Sequence, residues 1–490
     1  MPVNYHDNAT LATINSDSPK HNSKNKSKSK DRRRNQPKGR TSDNHKTFIT
    51  HSEPHWSFKK SQLPFIVFTS FAACFDFLIY FYLADVINQT FFPTLTDSFL
   101  HQLQTIGLLS AGFLSRPIGG LLIGRYGDVH GRKPALFISI GFLTITTLIT
   151  LCLPTYAQVG VLAPVLFILT RLLQGMAFGA YSPLSWVFIA EHAAKQSLSS
   201  YCSLAMAGLI AGNFGAVLIA KILYNNLSMT ELTSFGWRIP FIIGSVFSLI
   251  SLYLWRFVQE TPAFTTLKNK RSSTPHYLNV LPTFNQPIAM TLSLFIAFLQ
   301  ASLIMVAVLL LPKLIAIKFS LPSSFTNYAI LLGLIFQLIG CLFYGLLADK
   351  VGTGKALIVA ALALIVQALF FYNHLSYGNG DYILLLYALL GFCSGMIGLF
   401  PSILLQLFPT QVRLASLSLT YTCASAIAGT ALPTTLYYLT NVVSFSPALY
   451  LTFIGLVTVV LGFYLHHLSL FNALDQLPLD TTIDTQTAKL

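Results

Sequence analysis

The sequence predicts an all-α membrane protein: twelve transmembrane helices in two pseudo-symmetric six-helix halves. Hydrophobic residues make up 53% of the 490 and charged residues only 10%, with a mean hydropathy of +0.61. A soluble domain carries about 25% charged residues, so most of this exterior must face lipid. Twelve apolar stretches are each long enough to span a bilayer. A short polar signature also recurs at the same place in both halves of the chain.

A spanning helix needs about 20 mostly apolar residues. Such stretches run over residues 63–87, 101–124, 134–153, 161–189, 199–224, 236–257, 286–312, 326–348, 355–373, 382–407, 414–440 and 447–467. Several exceed the minimum, which tilt or extension beyond the bilayer accommodates. Open strands would leave backbone groups unpaired in lipid, and barrel strands would read as short alternating segments. The longest internal connection, about 258–285, is polar, contains Lys268–Arg271 and divides the helices six and six. The expected organisation is a basic tail over 1–60, a first half over 61–258, a linker over 259–285, a second half over 286–468 and a tail over 469–490.

The net charge of +14 is concentrated at the start. Residues 1–60 hold 13 of the 31 basic and 5 of the 17 acidic residues, and the rest of the chain has 18 against 12. The run Lys20–Arg40 lacks apolar periodicity, which predicts disorder, and it suits a cytoplasmic tail brushing anionic headgroups. Nucleic-acid binding needs its basic residues on a folded face, so the lipid bilayer is the expected partner and nucleic acid is not. Within the connections, Arg125, Arg132, Lys133, Lys195, Arg256, Lys268, Lys270, Arg271, Lys350, Lys355 and Arg413 share the side of the N-terminal tail. Lys221, Arg238, Lys313 and Lys318 take the other. By the positive-inside rule both termini are cytoplasmic. The long polar N-terminus predicts no cleavable signal peptide.

The six cysteines lie singly inside apolar segments, which argues against disulfide frameworks and zinc sites. No nucleophile–base or metal constellation is visible, so neither an enzyme nor a cofactor is expected.

The second helix of each half ends in related punctuation. The first half reads Gly124-Arg-Tyr-Gly-Asp128-Val-His-Gly131-Arg132-Lys133, and the second Gly345-Leu-Leu-Ala-Asp349-Lys-Val-Gly352-Thr-Gly-Lys355. Glycine to aspartate is four residues in both, and aspartate to the next glycine is three. An inexact repeat at this separation marks a duplicated six-helix unit.

Further matches accompany it: Asp76-Phe77, Tyr80 and Tyr82-Leu83-Ala84; Arg116-Pro117 with Gly119-Gly120; and Arg171 with Gln174-Gly175. Others are Ala190-Glu191-His192, Gly236-Trp237-Arg238, Glu260-Thr261-Pro262, Phe408-Pro409-Thr410 with Arg413, and Gly429 to Pro433. On these residues the chain resembles the major facilitator superfamily and, within it, the metabolite:proton symporters, a family whose members carry proline and betaine, 2-oxoglutarate, citrate or shikimate. The resemblance implies a monomeric, proton-coupled carrier of a small polar solute in a bacterial inner membrane. It also implies that the first-half signature latches the two halves in the outward-facing state. This chain departs from the family pattern at Ala73 and Tyr181, where carboxylates are usual, and at Asp85 and Val129. An uncoupled facilitator or exchanger is therefore an alternative, and a non-transporting solute sensor is a rival of another class.

Charges retained inside a bilayer are expensive, roughly 2.5–3.5 kcal/mol each by insertion scales. Asp76, Arg116 and Arg171 fall within helices 1, 2 and 4, at depths that would let them pair in a network facing the central cavity. Asp76 is the candidate proton acceptor, Arg116 or Arg171 the candidate partner of a substrate carboxylate, and Gln174 and Tyr181 their neighbours. Gly124, Asp128, Gly131, Arg132, Lys133, Glu191, Asp349 and Arg413 form the candidate gate. The contacts expected there are Arg132 with Glu191, and Asp128 with the start of helix 11 near Arg413. Gln300, Gln337, Gln367, Gln406, Tyr328 and Tyr421 are neutral hydrogen-bonding candidates in the second half.

Overall fold

The structure is a computed structural model that describes residues 62–92, 110–272, 286–312, 323–377, 382–443 and 445–467. The basic tail, the C-terminal tail, residues 273–285 of the linker and residues 101–109 of the second stretch lie outside the described residues. Twelve long helical elements follow one another: α1 Gln62–Tyr82, α2 Arg116–His130, α3 Arg132–Leu151, α4 Leu162–Ala190, α5 Leu198–Asn226 and α6 Arg238–Leu254 in the first half. The second half holds α7 Pro287–Ile304, α8 Ser323–Val351, α9 Thr353–Tyr377, α10 Ile383–Ser394, α11 Arg413–Val442 and α12 Ser446–His467. Among the described residues, ten helices are long and apolar enough to cross a membrane. The other two, α2 and α11, pack against each other.

The repeated glycines of the signature have a backbone reason. Gly131 ends α2 with φ 119°, and Gly352 ends α8 with φ 92°. A side chain is poorly tolerated at such angles, and the tight reversal lets α3 and α9 start at once. Three apolar stretches are interrupted where continuous helices were expected. α1 breaks at Leu83 before a short helix Ala84–Phe91, and α7 passes into π turns over Met305–Leu310. α10 tightens into 3-10 turns at Gly395–Gly398 and resumes over Phe400–Gln406. Pro401 opens that last piece, where its missing amide leaves no bond unmade. Pro183 and Pro433 sit inside continuous helices.

Small residues bring the helices of each half together. A Cβ on Gly212 of α5 would strike the Phe71 carbonyl of α1, and one on Gly179 of α4 would strike the Arg116 backbone of α2. Close approach of this kind is what small-xxx-small spacing provides in lipid, here within a half. The halves meet along two pairs. Gly124 of α2 lies against Ala415 of α11, and Gly345 of α8 against Ser203 of α5. Helices α3, α6, α9 and α12 carry exposed apolar side chains such as Phe142, Leu249, Val366 and Val460. That is the surface a lipid solvent selects. The linker begins with a helix over Pro262–Ser272.

Candidate functional site

A cavity of about 90 Å³, partly open to solvent, lies between the halves. α1 contributes Cys74, Phe77 and Leu78, and α11 contributes Tyr421 and Ser425. Arg116 stands on its wall at the start of α2, only 4% exposed. Its Cζ lies 4.4 Å from the Phe77 ring centroid, 4.0 Å from Phe113 and 4.9 Å from Phe178. Among the described residues no carboxylate pairs with it, and its Nε has no hydrogen-bond partner. An aromatic cage attracts a cation through ring quadrupoles, yet leaves its in-plane N–H donors unsatisfied.

The expected three-charge network does not form. Asp76 is buried and turned away from the cavity, toward α3 and α6. Its Oδ2 accepts hydrogen bonds from Thr147 Oγ1 at 3.1 Å and Ser248 Oγ at 2.6 Å. Its Oδ1 presses on Gly244 and has no hydrogen-bond partner. Helix geometry is the reason. At 3.6 residues per turn, Cys74 and Leu78 lie roughly 160° around α1 from Asp76, so the face that lines the cavity cannot also present the carboxylate. Arg171 lies behind the wall. It donates from Nη1 to Gln174 Oε1 at 2.5 Å and from Nη2 to the Phe77 carbonyl at 3.4 Å, and its Cζ lies 4.3 Å from the Tyr80 ring centroid. Gln174 in turn donates to the Asp76 carbonyl at 3.1 Å. Arg171 and Asp76 therefore communicate through backbone and amide, not as an ion pair. Tyr181 is also off the cavity, with its hydroxyl 2.7 Å from Thr69 Oγ1 and 3.2 Å from Ser70 Oγ.

Of the second-half candidates, Gln337 and Tyr421 line the cavity. Gln300, Gln367 and Gln406 donate to the carbonyls of Ile397, Leu386 and Ser402. Tyr328 sits beneath Lys221, whose Nζ is 3.3 Å from the ring centroid.

The signature residues gather at one end of the bundle, the end with the basic connections. Arg132 is fully buried and meets Glu191 side-on, Nε to Oε2 at 3.1 Å and Nη2 to Oε1 at 3.2 Å. It also reaches Asp128 at 3.3 Å and donates to the Thr410 carbonyl of the other half at 2.7 Å. Glu191 bridges the halves, since Arg413 Nη1 lies 3.5 Å from its Oε1. Asp128 accepts from the backbone amides of Leu414 at 3.3 Å and Ala415 at 2.8 Å, in the first turn of α11. Asp349 does the same at the first turn of α5, accepting from Ser199 at 3.0 Å and Ser200 at 3.1 Å. A carboxylate at a helix N-terminus meets unsatisfied N–H groups and the positive end of the helix dipole. The two latches are thus related by the internal repeat. Only the first is wrapped in an arginine and glutamate shell, because Thr353 stands where the repeat would place a second Arg132.

One participant carried no expected role. Glu260 caps α3, accepting from the amides of Arg132 at 3.0 Å and Lys133 at 3.1 Å. Burial pushes its carboxyl above the ordinary glutamate range, against the opposing pull of the Thr261, Lys133 and Arg132 amides. The Glu-Thr-Pro triplet after a predicted span was the available signal. Lys133 lays its ammonium over Trp255, 4.8 Å from the ring centroid.

Two repeat-related carboxylate contacts at one end of a twelve-helix bundle, with a cavity between its halves, are the arrangement of a membrane transporter. The family model of the Major Facilitator Superfamily matches residues 66–433, and the chain belongs to that superfamily. It is a multi-pass membrane transporter and not an enzyme. It is similar to a putative proline/betaine transporter of Staphylococcus aureus (strain COL), 28% identical over 400 residues that cover 80% of this chain and 85% of the relative. The alpha-ketoglutarate permease of Escherichia coli (strain K12) is 31% identical over 368 residues, covering 72% and 81%. Among solved structures, the proton:xylose symporter XylE bound to 6-bromo-6-deoxy-D-glucose superposes with a TM-score of 0.70 at 17% identity. That match covers 84% of this chain and 95% of XylE.

Proposed function

We propose that the chain is a proton-coupled symporter of a small organic acid or other carboxylate-bearing solute in a bacterial cytoplasmic membrane, working as a monomer with both termini in the cytoplasm. The observation that carries this is the unpaired Arg116 guanidinium on the wall of the cavity between the halves. A buried cation without a counter-ion is costly, and a substrate carboxylate satisfies it. Asp76 takes the proton. A carboxylate held by two hydroxyls with its second oxygen unpartnered is expensive to keep charged in an apolar interior, and one proton removes that penalty. Gln174 joins the Asp76 backbone carbonyl to Arg171, which ties the part of α1 that carries the carboxylate to the guanidinium behind the cavity wall. The basic end is the cytoplasmic end, and its latches hold the carrier shut on that side. The relatives' printed names, proline/betaine and alpha-ketoglutarate, agree with a carboxylate-bearing cargo.

Reconstituted chain tests the proposal. Solute accumulation under an inward proton gradient is expected, lost in Asp76→Asn and in Arg116→Gln. Unchanged gradient-driven accumulation by Asp76→Asn removes Asp76 from the coupling. The second reading, an uncoupled facilitator, is favoured by Ala73 and Tyr181, because the Tyr181 hydroxyl is already engaged by Thr69 and Ser70. Uptake that equilibrates and ignores the gradient decides for it.

A further inference from the structure

Arg116 is the one formal charge on the cavity wall among the described residues. Asp76 is turned to α3 and α6, and Arg171 is engaged by Gln174 and the Phe77 carbonyl behind the wall. The second half presents Met305, Val308, Leu309 and Ile397 to the same space, with Gln337, Tyr421 and Ser425 as its polar groups. Gln337 already donates to Ser394 Oγ at 3.1 Å. The cavity therefore has one positive pole, an aromatic collar around it, and a mostly apolar remainder.

Resting on the reading that Arg116 holds a substrate carboxylate, we infer that the cavity selects an organic anion with a single carboxylate and a predominantly apolar body, and disfavours dicarboxylates and zwitterions. One carboxylate meets the N–H donors that Phe77, Phe113 and Phe178 cannot satisfy. A second carboxylate would leave water with no cation opposite it. An ammonium would do so with no carboxylate opposite it, beside a guanidinium that repels it. Both are penalised in an apolar interior. An apolar body gains from the same walls in proportion to the area it buries.

The test uses three ligands matched in shape. 4-Methyl-2-oxopentanoate and 2-oxoglutarate share the 2-oxo acid head and differ in an apolar or a charged tail. Leucine keeps the apolar tail and carries an ammonium in place of the 2-oxo group. Binding of each is measured by isothermal titration calorimetry on the purified full chain in detergent. The expected result is that 4-methyl-2-oxopentanoate binds at least about tenfold more tightly than either of the others. Arg116→Gln is expected to lose that binding and Arg116→Lys to retain part of it. Equal or tighter binding of 2-oxoglutarate or leucine overturns the inference, and so does no binding of 4-methyl-2-oxopentanoate. The deciding comparison is made on the unaltered chain, so a variant that misfolds does not obscure it. Arg116-dependent binding of 2-oxoglutarate in first place would sink this inference while leaving carboxylate transport standing. The expected order without gradient-driven accumulation would sink proton coupling and leave this inference standing.

Discussion

Asp76, Arg116 and Arg171 each keep a buried polar atom without a hydrogen-bond partner, Oδ1 of the first and Nε of the other two. Asp76 has hydroxyl partners on α3 and α6 and no cation. Asn at this position keeps the shape and cannot carry a proton. Asp76→Asn is therefore expected to lose gradient-driven accumulation while keeping exchange of preloaded solute, read by counterflow. Gly244 exists because Asp76 Oδ1 occupies the place of its Cβ. Gly244→Ala is expected to displace the carboxylate and destabilise the protein by about 1–3 kcal/mol as overpacking does, read by thermal unfolding in detergent. His192 is buried and donates from Nδ1 to the Phe188 carbonyl at 2.8 Å, and burial lowers its pKa. Folding thus favours its neutral form. Stability from this group is complete above the ordinary histidine value of about 6.5 and is lost as pH falls below it. The acid-side drop in unfolding midpoint between about pH 7 and pH 5 is expected to shrink in His192→Gln, and an identical pH profile would count against the assignment.

At the scale of elements, the two carboxylate latches do the same job at opposite helix pairs. Asp128 closes α2 on α11 and Asp349 closes α8 on α5. A charge at a helix terminus contributes 0.3–1 kcal/mol, and up to about 2 kcal/mol when partly buried. Losing one latch should then shift the closed-to-open ratio by up to about 30-fold. Asp128→Asn and Asp349→Asn are expected to change the transport rate and leave the order of substrates untouched. The effect should be larger at Asp128, which also supports Arg132, Glu191 and Arg413. A changed substrate order in either variant would show that these residues shape the cavity and not the gate. This part of the molecule was legible in sequence, because charges at helix ends are sparse and the repeat marks them twice. The direction of Asp76 was not. α1 is apolar on every side, so nothing in its periodicity says which face meets the cavity and which meets α3 and α6. Tyr181 is hard to read for a related reason: a tyrosine in an apolar helix offers no sign of whether its hydroxyl meets Thr69, as it does here, or a solute. The break in α10 was hidden too. Nothing in an uninterrupted apolar run marks Gly395–Gly398 as the place where the helix tightens into 3-10 turns.

For the whole molecule, the duplicated six-helix unit explains why one set of contacts appears twice and why the cavity falls between the copies. The halves approach most closely where glycine permits it, at Gly124 against Ala415 and Gly345 against Ser203. Gly345→Val should wedge α8 from α5 at the basic end and raise the reactivity of an introduced cysteine at Ser402, which lies 3.4 Å from Ser199 across the same seam. Unchanged reactivity would mean that this seam does not open. The halves differ in charge, since Asp76, Arg116 and Arg171 all belong to the first. On the proposed reading the first half carries the charge chemistry and the second supplies an apolar wall for the solute. The most direct test of this division of labour is uptake of labelled 4-methyl-2-oxopentanoate into proteoliposomes, with and without an inward proton gradient, against protein-free liposomes. The account predicts accumulation above equilibrium only with the gradient, abolished by Asp76→Asn and by Arg116→Gln. Uptake that merely equilibrates and is indifferent to the gradient and to Asp76 would contradict it.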